Sequence, residues 1–361
     1  MIDVRPVLIM AGGTGGHVFP ALAVADELRL RGIPVVWLGT KAGIESRLVP
    51  QAGYPVEWMS ITGLRGKSTM ALVLAPVRLL RACWQALAVL LRTKPCVVLG
   101  MGGFVSGPGG LMAWLLRKPL LVHEQNAIPG LTNKVLARLA SVVLQAFPGV
   151  FKQAITTGNP VRQSICAIEK PENRFARHRS QDVLHLLVIG GSLGAVKLNE
   201  IVPQALAKIT TGQRPQVIHQ TGPKNIESAK AFYSEAGVEA KVEAFIDDMA
   251  AAYEWADLVI CRSGAMTVFE LAAAGIGSIL IPYPHAVDDH QTFNAYYLES
   301  AGAAVIKQQH DITADWLVEM INDFSVNRKK LLDMAVAARK LAIPGSAKNI
   351  ADACLYAGGV A

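Results

Sequence analysis

Short apolar runs of strand length alternate with segments of helical periodicity along the whole chain. Strands that alternate with helices in this way are typical of βα units and parallel sheets. The pattern therefore predicts an α/β protein. The predicted strands are residues 7–10, 35–38, 97–99, 120–122, 184–189, 217–220, 258–261 and 279–281.

Two of these units resemble each other and indicate an internal repeat. The strand at 7–10 leads into a glycine cluster at 12–16 and then a helix from about Ala21. The strand at 184–189 leads into a glycine cluster at 190–194 and then another helix. A strand, a glycine loop and a helix in succession are typical of the opening of a doubly wound domain. We predict two such domains.

The domain boundary is predicted where the apolar periodicity lapses. This happens at the Gly-Asn-Pro-Val-Arg segment 158–162 and across the polar stretch 169–182. We expect a first domain at 1–162 and a second at 163–342. The residues after the Ile-Pro-Gly break, 343–361, are predicted to form a last helix that packs back on the first domain.

Composition excludes several classes of protein. Hydrophobic residues make up 52% of the chain and charged residues 17%, which is unlike a disordered polypeptide. The five cysteines are scattered without a C-x-x-C pair, so we expect a reducing compartment, no disulfide framework and no zinc site. The apolar region 70–91 is interrupted by Arg78, Arg81 and Gln85, so we predict no transmembrane segment.

The glycine loop at 12–16 is a candidate phosphate site. Glycines after a parallel strand let the backbone approach a ligand, and the next helix offers free N–H groups to an anion. The loop does not follow the G-x-G-x-x-G pattern and lacks a ribose-binding acid about 20 residues later, which disfavours a dinucleotide cofactor. A plain tight turn is the alternative. His17, where the loop becomes a helix, is a candidate base, ligand contact or simple cap, and the helix dipole favours its neutral form.

Two further segments carry candidate chemistry. The glycine-rich loop 100–110 fits a structural turn and an acceptor site equally well. Residues 261–275 fit a strand end, a cap at Ser263 or Gly264, a helix and a glycine stop. Thr267 and Glu270 would share one helical face, where the Glu270 carboxylate suits two hydroxyl donors such as a ribose diol. A solvated or ion-paired glutamate is the alternative.

Six motifs span nearly the whole chain. They are residues 12–17, 101–108, 123–126, 158–162, 190–192 and 263–270. Taken together and in this order, they resemble the motifs of the MurG family, the UDP-N-acetylglucosamine transferases of glycosyltransferase family 28 that convert lipid I to lipid II in bacterial peptidoglycan synthesis.

The resemblance implies a GT-B fold with two Rossmann-like domains and a cleft between them. It places the lipid I acceptor on the first domain and UDP-GlcNAc mainly on the second, with Glu270 on the ribose diol and the Ile246 backbone on uracil. The implied donor contacts are Thr14, Gly15, Gly16, Asn126, Arg162, Ser192, Ile246, Ala265, Met266, Thr267, Val268, Phe269, Glu270 and Gln291. The acceptor-side candidates are Gly102, Gly103, Phe104, Ser106, His123 and Glu124.

The implied reaction is an inverting displacement at the anomeric carbon of UDP-GlcNAc by the MurNAc 4-hydroxyl of lipid I. His17 is the predicted base, with His123 and Glu124 in reserve. The resemblance implies no cofactor and no metal at the chemical step, and the absence of a D-x-D motif from the chain is consistent with this. The chain departs from the family pattern at Leu193, His290, Phe104 and Gly277, and the loop 284–294 is one residue longer than expected.

The charge distribution points to a membrane surface. Net charge is +7, and residues 58–168 hold twelve Lys and Arg residues against one acid, Glu124. Within the basic, apolar segment 65–94, arginines alternate with Leu and Trp, a pattern typical of a helix that lies on an anionic bilayer. We expect peripheral binding at the cytoplasmic face of the plasma (inner) membrane, unless this is an ordinary buried amphipathic helix. Nucleic acid is disfavoured because aromatic residues are not interleaved with the charges.

Two other functions are compatible with these motifs. A UDP-GlcNAc 2-epimerase would share the fold and the donor site but needs no basic membrane face and no acceptor. A non-catalytic module that binds a polyprenyl diphosphate or a nucleotide sugar is the second alternative. The presence of His17 and Glu270 together with both glycine loops argues against the module.

Overall fold

The chain folds into two compact α/β units. The computed structural model describes residues 5–61, 74–177, 183–191 and 194–360. The first unit combines Met1–Pro160 with Gly345–Ala361, and the second is Val161–Pro344. Arg162, which we predicted to end the first domain, therefore belongs to the second unit.

A parallel sheet of seven strands forms the centre of the first unit, in the order β3-β2-β1-β4-β5-β6-β7. The order reverses at β1, which pairs with β2 on one side and β4 on the other. The loops that follow β1 and β4 therefore leave the same edge of the sheet side by side. The strands are β1 Val7–Met10, β2 Val35–Gly39, β3 Val56–Trp58, β4 Val97–Gly100, β5 Leu120–Glu124, β6 Val142–Gln145 and β7 Ile155–Thr156.

Helices cover both faces of this sheet. The first begins at Gly15, earlier than the predicted Ala21, and Pro20 lies inside it. Because proline has no N–H group, the helix lacks the hydrogen bond that residue 20 would donate to the Gly16 carbonyl. Its first turn thus contains Gly15, Gly16 and His17. The helices are α1 Gly15–Leu30, α2 Glu45–Gln51, α3 Ala75–Thr93, α4 Ser106–Leu115 and α5 Leu131–Leu136.

Helix α4 lies unusually close to its neighbours because two glycines face them. A Cβ atom at Gly109 would lie 2.2 Å from the sulfur of Met10, and one at Gly110 would lie 2.7 Å from Cδ2 of Leu136. The glycine run at 107–110 therefore serves close packing against β1 and α5 rather than loop flexibility.

The second unit repeats the arrangement with six parallel strands in the order β10-β9-β8-β11-β12-β13. Here β8 is the reversal strand, between β9 and β11. The strands are β8 His185–Ile189, β9 Gln216–Gln220, β10 Lys241–Glu243, β11 Leu258–Cys261, β12 Gly277–Leu280 and β13 Ala304–Ile306. These two sheets confirm the predicted pair of doubly wound α/β domains.

Nine helices surround this second sheet in the described part of the unit, beside short 3-10 turns at Thr211–Gln213 and Val287–Asp289. The helices are α6 Gln163–Cys166, α7 Pro171–Arg177, α8 Val196–Ala207, α9 Ile226–Glu235, α10 Met249–Trp255, α11 Ala265–Ala274, α12 His290–Glu299, α13 Ala314–Val326 and α14 Arg328–Lys340.

The last helix, α15 (Ser346–Gly358), completes the first unit. It packs against α1 and β4. Ile350, Ala351 and Cys354 are fully buried in the same hydrophobic cluster as the strands of that sheet. Arg31 of α1 also forms an ion pair with Asp352. The C-terminal residues are thus part of the first unit's core.

Among the described residues, no helix combines the length and the apolar character needed to cross a bilayer.

Replacing Ile350 with alanine tests whether α15 stabilises the first unit. Ile350→Ala removes buried methyl and methylene groups and leaves a cavity, so we expect a loss of about 2–5 kcal/mol in the free energy of unfolding. Urea denaturation followed by circular dichroism measures it. The matched control, Leu30→Ala, alters a side chain that is 83% exposed and should change stability by less than about 0.5 kcal/mol. Equal losses in both variants would contradict a structural role for α15.

Candidate active site

The two glycine loops of the first unit touch each other at the carboxyl edge of the sheet. Gly102 and Gly103 have φ angles of +93° and +83°, which favour glycine. A Cβ atom at Gly103 would lie 2.4 Å from the carbonyl oxygen of Gly12, and one at Gly102 would lie 2.6 Å from Cδ2 of His17. Both positions therefore need glycine, because the loop after β4 contacts the loop after β1 and leaves no space for a side chain.

His17 is half-buried against this contact, in the first turn of α1. Its Nδ1 atom lies 3.3 Å from the carbonyl oxygen of Gly12. The Thr14 hydroxyl oxygen lies 3.5 Å from the same Nδ1 atom, and a hydroxyl can accept as well as donate a hydrogen bond. Because a carbonyl only accepts hydrogen bonds, the shorter contact to Gly12 places a proton on Nδ1, and in the neutral ring the lone pair is then on Nε2. This tautomer suits a base that acts through Nε2.

The start of α1 supplies anion-binding groups next to His17. Thr14 is the N-cap residue, with extended backbone, and its side chain accepts no hydrogen bond from the helix N–H groups. The first-turn residues Gly15 and Gly16 follow it, and Gly16 is exposed. Free N–H groups and the helix dipole at such a terminus stabilise a phosphate or a carboxylate.

The three acceptor-side candidates with polar side chains, Ser106, His123 and Glu124, are buried. The hydroxyl of Ser106 donates towards the carbonyl oxygens of Met10, at 3.1 Å, and Gly102, at 3.0 Å. The Nε2 atom of His123 lies 3.1 Å from the carbonyl oxygen of Gly158, and burial lowers the pKa of His123 to about 4. Ser106 therefore joins a strand end to the glycine loop, and His123 is neutral at physiological pH.

The Glu124 carboxylate holds the loop that contains Asn126. Its carboxylate accepts hydrogen bonds from the backbone N–H of Asn126 at 2.9 Å, the backbone N–H of Gly130 at 3.2 Å and the side-chain amide of Asn133 at 2.9 Å. The structure thus directs polar atoms of Ser106, His123 and Glu124 towards the loops around them, and their contact with the acceptor stays a prediction. Asn126 is half-buried and Phe104 is 54% exposed, so both remain candidates for contact.

In the second unit, α11 begins directly after β11 and its start is fixed from two sides. The guanidinium of Arg262 donates to the carbonyl oxygens of Ile281, at 3.0 Å, and Pro282, at 3.1 Å. The side-chain amide of Asn294 donates to the carbonyl oxygen of Ser263 at 3.2 Å. Gly264, with extended backbone, is the N-cap residue. The first turn of α11 is therefore held rigidly, with its N–H groups available to a ligand.

Glu270 lies one to two turns further along α11. The hydroxyl of Tyr253 donates to its Oε2 atom at 3.1 Å, and Nη2 of Arg162 lies 3.4 Å from Oε1. Burial raises the pKa of Glu270, and the Arg162 cation and the Tyr253 hydrogen bond offset part of this effect. With 15% of the side chain exposed, the carboxylate is still reachable from solvent.

The carboxyl end of α11 is capped by two arginines that sequence reasoning did not single out. Arg174 is 5% exposed and donates to the carbonyl oxygens of Tyr253, at 3.1 Å, Ala274, at 3.1 Å, and Gly275. Burial lowers its pKa to about 10, so it stays charged at neutral pH. Arg339 donates to the carbonyl oxygen of Ala273. Cations at this end stabilise the helix dipole.

The remaining donor candidates have mixed environments. Ala265, Val268 and Phe269 are buried in the core, so only their backbone groups are suited to ligand contact. Met266 and Thr267 are half-buried, and Ile246 is 6% exposed beside the exposed Phe245. Ser192 and Leu193 lie outside the described residues.

The loop before α12 positions Gln291. Its side-chain oxygen accepts a hydrogen bond from the backbone N–H of Tyr283 at 2.9 Å, which points the amide nitrogen elsewhere. Asp288 and Asp289 adopt left-handed backbone conformations, and Nδ1 of His290 lies 2.8 Å from the carbonyl oxygen of Val287. Asp288 and Asp289 are therefore part of the turn that precedes α12. In the described ranges, no group of three or more His, Cys, Asp or Glu residues is placed to hold a metal ion.

Family models match both units. The model of the glycosyltransferase family 28 N-terminal domain matches residues 7–145, and that of the C-terminal domain matches residues 185–350. The chain belongs to glycosyltransferase family 28. Both glycine loops of the first unit fall within the N-terminal match, and α11 with Glu270 falls within the C-terminal match.

Relatives of this family 28 chain match it from end to end. A protein of Nitrosococcus oceani is 56% identical over 97% of this chain and 98% of its own length. One of Marinobacter nauticus is 54% identical over 98% of both chains. Both are named UDP-N-acetylglucosamine--N-acetylmuramyl-(pentapeptide) pyrophosphoryl-undecaprenol N-acetylglucosamine transferase.

Solved structures agree with the fold. The crystal structure of Acinetobacter baumannii MurG is 41% identical and superposes with a TM-score of 0.85, covering 98% of this chain and 99% of that one. The calicheamicin glycosyltransferase CalG4 is 15% identical with a TM-score of 0.70 over 98% of both chains, a likeness of fold alone. The GT-B fold implied by the sequence motifs is confirmed.

The burial of the Glu270 side chain predicts that the stability of the folded state depends on pH. Because the pKa of Glu270 is raised by folding, the unfolded chain loses that proton at lower pH than the folded one. The folded state is therefore destabilised as pH rises from about 4, the ordinary glutamate pKa, through the raised value. We expect Glu270→Gln to gain stability relative to the wild type over this range, measured as the melting temperature at a series of pH values.

The matched control is Glu319→Gln, at an exposed glutamate on α13. It should leave the pH dependence of the melting temperature unchanged. An advantage of Glu270→Gln that is constant with pH, or that shrinks as pH rises, would show that burial of the Glu270 charge is not costly.

Proposed function

We propose that this chain is an inverting glycosyltransferase that moves GlcNAc from UDP-GlcNAc to the MurNAc 4-hydroxyl of lipid I, which gives lipid II. The full-length identity to relatives named for this transfer carries the proposal. The site geometry supports it independently, because each unit holds the groups that one half of the reaction requires.

The second unit is the proposed binding site for the nucleotide sugar. The two carboxylate oxygens of Glu270 are suited to accept hydrogen bonds from the two ribose hydroxyls, and Tyr253 holds one of these oxygens in place. The first-turn N–H groups of α11 and the guanidinium of Arg162 supply positive potential for the diphosphate. Gln291 is the proposed contact for the sugar hydroxyls.

The first unit is the proposed site of the acceptor. Nε2 of His17 removes the proton from the acceptor hydroxyl as that oxygen forms a bond to the anomeric carbon. The bond between this carbon and the diphosphate oxygen breaks on the opposite face, and UDP leaves with the electron pair. Backbone N–H groups at the start of α1 stabilise negative charge nearby, which is electrostatic catalysis by fixed donors.

The proposed route to a lipid-linked acceptor is the outer face of α3. Four large apolar side chains at helical spacing are exposed there, while Ala82 and Ala86 face the core. Arg78 and Arg81 are also exposed among them. We propose that this face binds an anionic membrane peripherally at the cytoplasmic side of the plasma membrane. Arg65 and Lys67 of the predicted segment lie outside the described residues. The exposed apolar residues are Val77, Leu80, Trp84 and Leu91.

Sugar transfer in the presence of EDTA tests the proposed activity. The wild-type chain should transfer labelled GlcNAc from UDP-GlcNAc to a short-chain lipid I analogue, with release of UDP. Epimerised sugar or free UDP without an acceptor would replace the proposal with epimerase or hydrolase activity. Loss of transfer that is restored by added Mg²⁺ would overturn the metal-independent step.

In the same assay, we expect His17→Ala to lower kcat by about a hundredfold or more, the usual contribution of a positioned general base. His310→Ala is the matched control, because that imidazole is exposed on the second unit and should leave kcat unchanged. Full activity of His17→Ala would exclude His17 as the base.

Vesicle binding tests the membrane face. The double variant Leu80→Ser with Trp84→Ser removes two large apolar side chains, each worth about 1.5–3 kcal/mol when buried. We expect its affinity for vesicles that contain anionic lipid to fall at least about tenfold in a sedimentation assay, by the ordinary relation of free energy to affinity. Val326→Ser, at an 82% exposed site of the second unit, is the control and should bind like the wild type. Unchanged binding of the double variant would exclude this face.

A further inference from the structure

Glu45 is a fully buried carboxylate in the first unit that the proposed reaction does not use. It is the first residue of α2, where the helix dipole favours a negative charge. Its carboxylate contacts the loop that follows β1. A buried carboxylate is costly unless hydrogen bonds satisfy it, so its contacts show what it holds.

Three hydrogen bonds tie this carboxylate to two loops. The backbone N–H of Gly13 donates to Oε2 at 2.9 Å. The backbone N–H and the hydroxyl of Thr40 donate to Oε1 at 3.0 Å and 2.7 Å. Glu45 therefore links the glycine loop after β1 to the loop after β2, with one carboxylate oxygen for each loop.

The surrounding sequence leaves room for this side chain. A Cβ atom at Gly12 would lie 2.5 Å from Oε1 of Glu45, and one at Gly43 would lie 2.0 Å from Oε2. At Gly39 a Cβ atom would lie 2.9 Å from Cγ of the same residue. A side chain at any of these three glycines would clash with Glu45. The local sequence is therefore compatible with a buried glutamate at this position.

A single peptide unit connects Glu45 to His17. The N–H of that peptide belongs to Gly13 and donates to Glu45, and its C=O belongs to Gly12 and lies 3.3 Å from Nδ1 of His17. A hydrogen bond to a carboxylate polarises the peptide and strengthens the carbonyl as an acceptor. The carboxylate, the peptide and the imidazole therefore form one chain of hydrogen bonds.

We propose that Glu45 is a positioning residue that orients His17 through the Gly12–Gly13 peptide. Its part in catalysis rests on the proposed function, but its effect on the loop does not. A cavity of about 190 Å³, lined in part by Gly13, Thr40 and Phe104, lies beside this peptide. Without the carboxylate, the glycine loop has space to shift into that cavity, and the imidazole loses its alignment.

Glu45→Gln tests the proposal, because it keeps the side-chain volume but replaces one accepting oxygen with a donor that repels an N–H group. We expect kcat for sugar transfer to fall at least tenfold while the KM for UDP-GlcNAc stays within twofold. Combined with His17→Ala, it should cause less than a twofold further loss, since both changes act through one group. The control is Glu57→Gln, which removes a carboxylate from β3 that pairs with Arg92.

Hydrogen–deuterium exchange gives a readout that does not depend on activity. Glu45→Gln should raise exchange of the amides in residues 12–17 at least threefold, whereas Glu57→Gln should not. Should Glu45→Gln fail to fold, Thr40→Val removes only the hydroxyl donor to Oε1 and should produce a smaller change of the same kind.

The outcomes separate the two proposals. A wild-type chain without transfer activity refutes the proposed function, and the exchange rates then decide the loop role alone. If the wild type transfers sugar but Glu45→Gln retains its kcat and its exchange pattern, the positioning role is wrong. The positioning role is also wrong if the kcat losses of Glu45→Gln and His17→Ala multiply in the double variant, because Glu45 would then act independently of His17.

Discussion

The contact between the backbones of Gly12 and Gly103 is the constraint on which the first unit's site depends. It exists because β1 and β4 are hydrogen-bonded neighbours, in a register that sets Met10 opposite Gly100. Their following loops leave the sheet side by side and meet without side chains between them. Ser106 forms a hydrogen bond to the loop after β4, and Glu45 accepts one from the loop after β1. His17 lies where the two loops meet.

The second unit is subject to a different physical constraint, which is the burial of an ionisable side chain, Glu270. Burial raises the pKa of Glu270, and only the Tyr253 hydroxyl and the Arg162 guanidinium oppose that effect. The helix that carries it is held firmly at both ends, by Arg262 and Asn294 at its start and by Arg174 and Arg339 at its finish. The position of Glu270 on this helix is therefore fixed by contacts at both helix ends.

Much of the fold was predictable from local pattern. The strand at 7–10 is observed as Val7–Met10 and that at 258–261 as Leu258–Cys261, because both are continuous apolar runs bounded by turn residues. The start of α1 was misplaced because Pro20 interrupts the pattern without interrupting the helix. The glycine loops, His17 and Glu270 were recognisable as residue types in a typical spacing. Glu45, Tyr253 and Arg174 were not, since each acts on a segment that is distant in sequence.

By itself, the sequence determined the α/β class, the two domains, the family and the residue types available for catalysis, because these depend on periodicity and on motifs within single segments. Only the tertiary structure decided which of those residues are exposed and which are buried. Ser106, His123 and Glu124 lie in recognisable motifs, yet strand pairing and helix packing bury them and turn their polar atoms towards backbone groups. Burial and hydrogen-bond partners arise from contacts between distant segments, which no local pattern encodes.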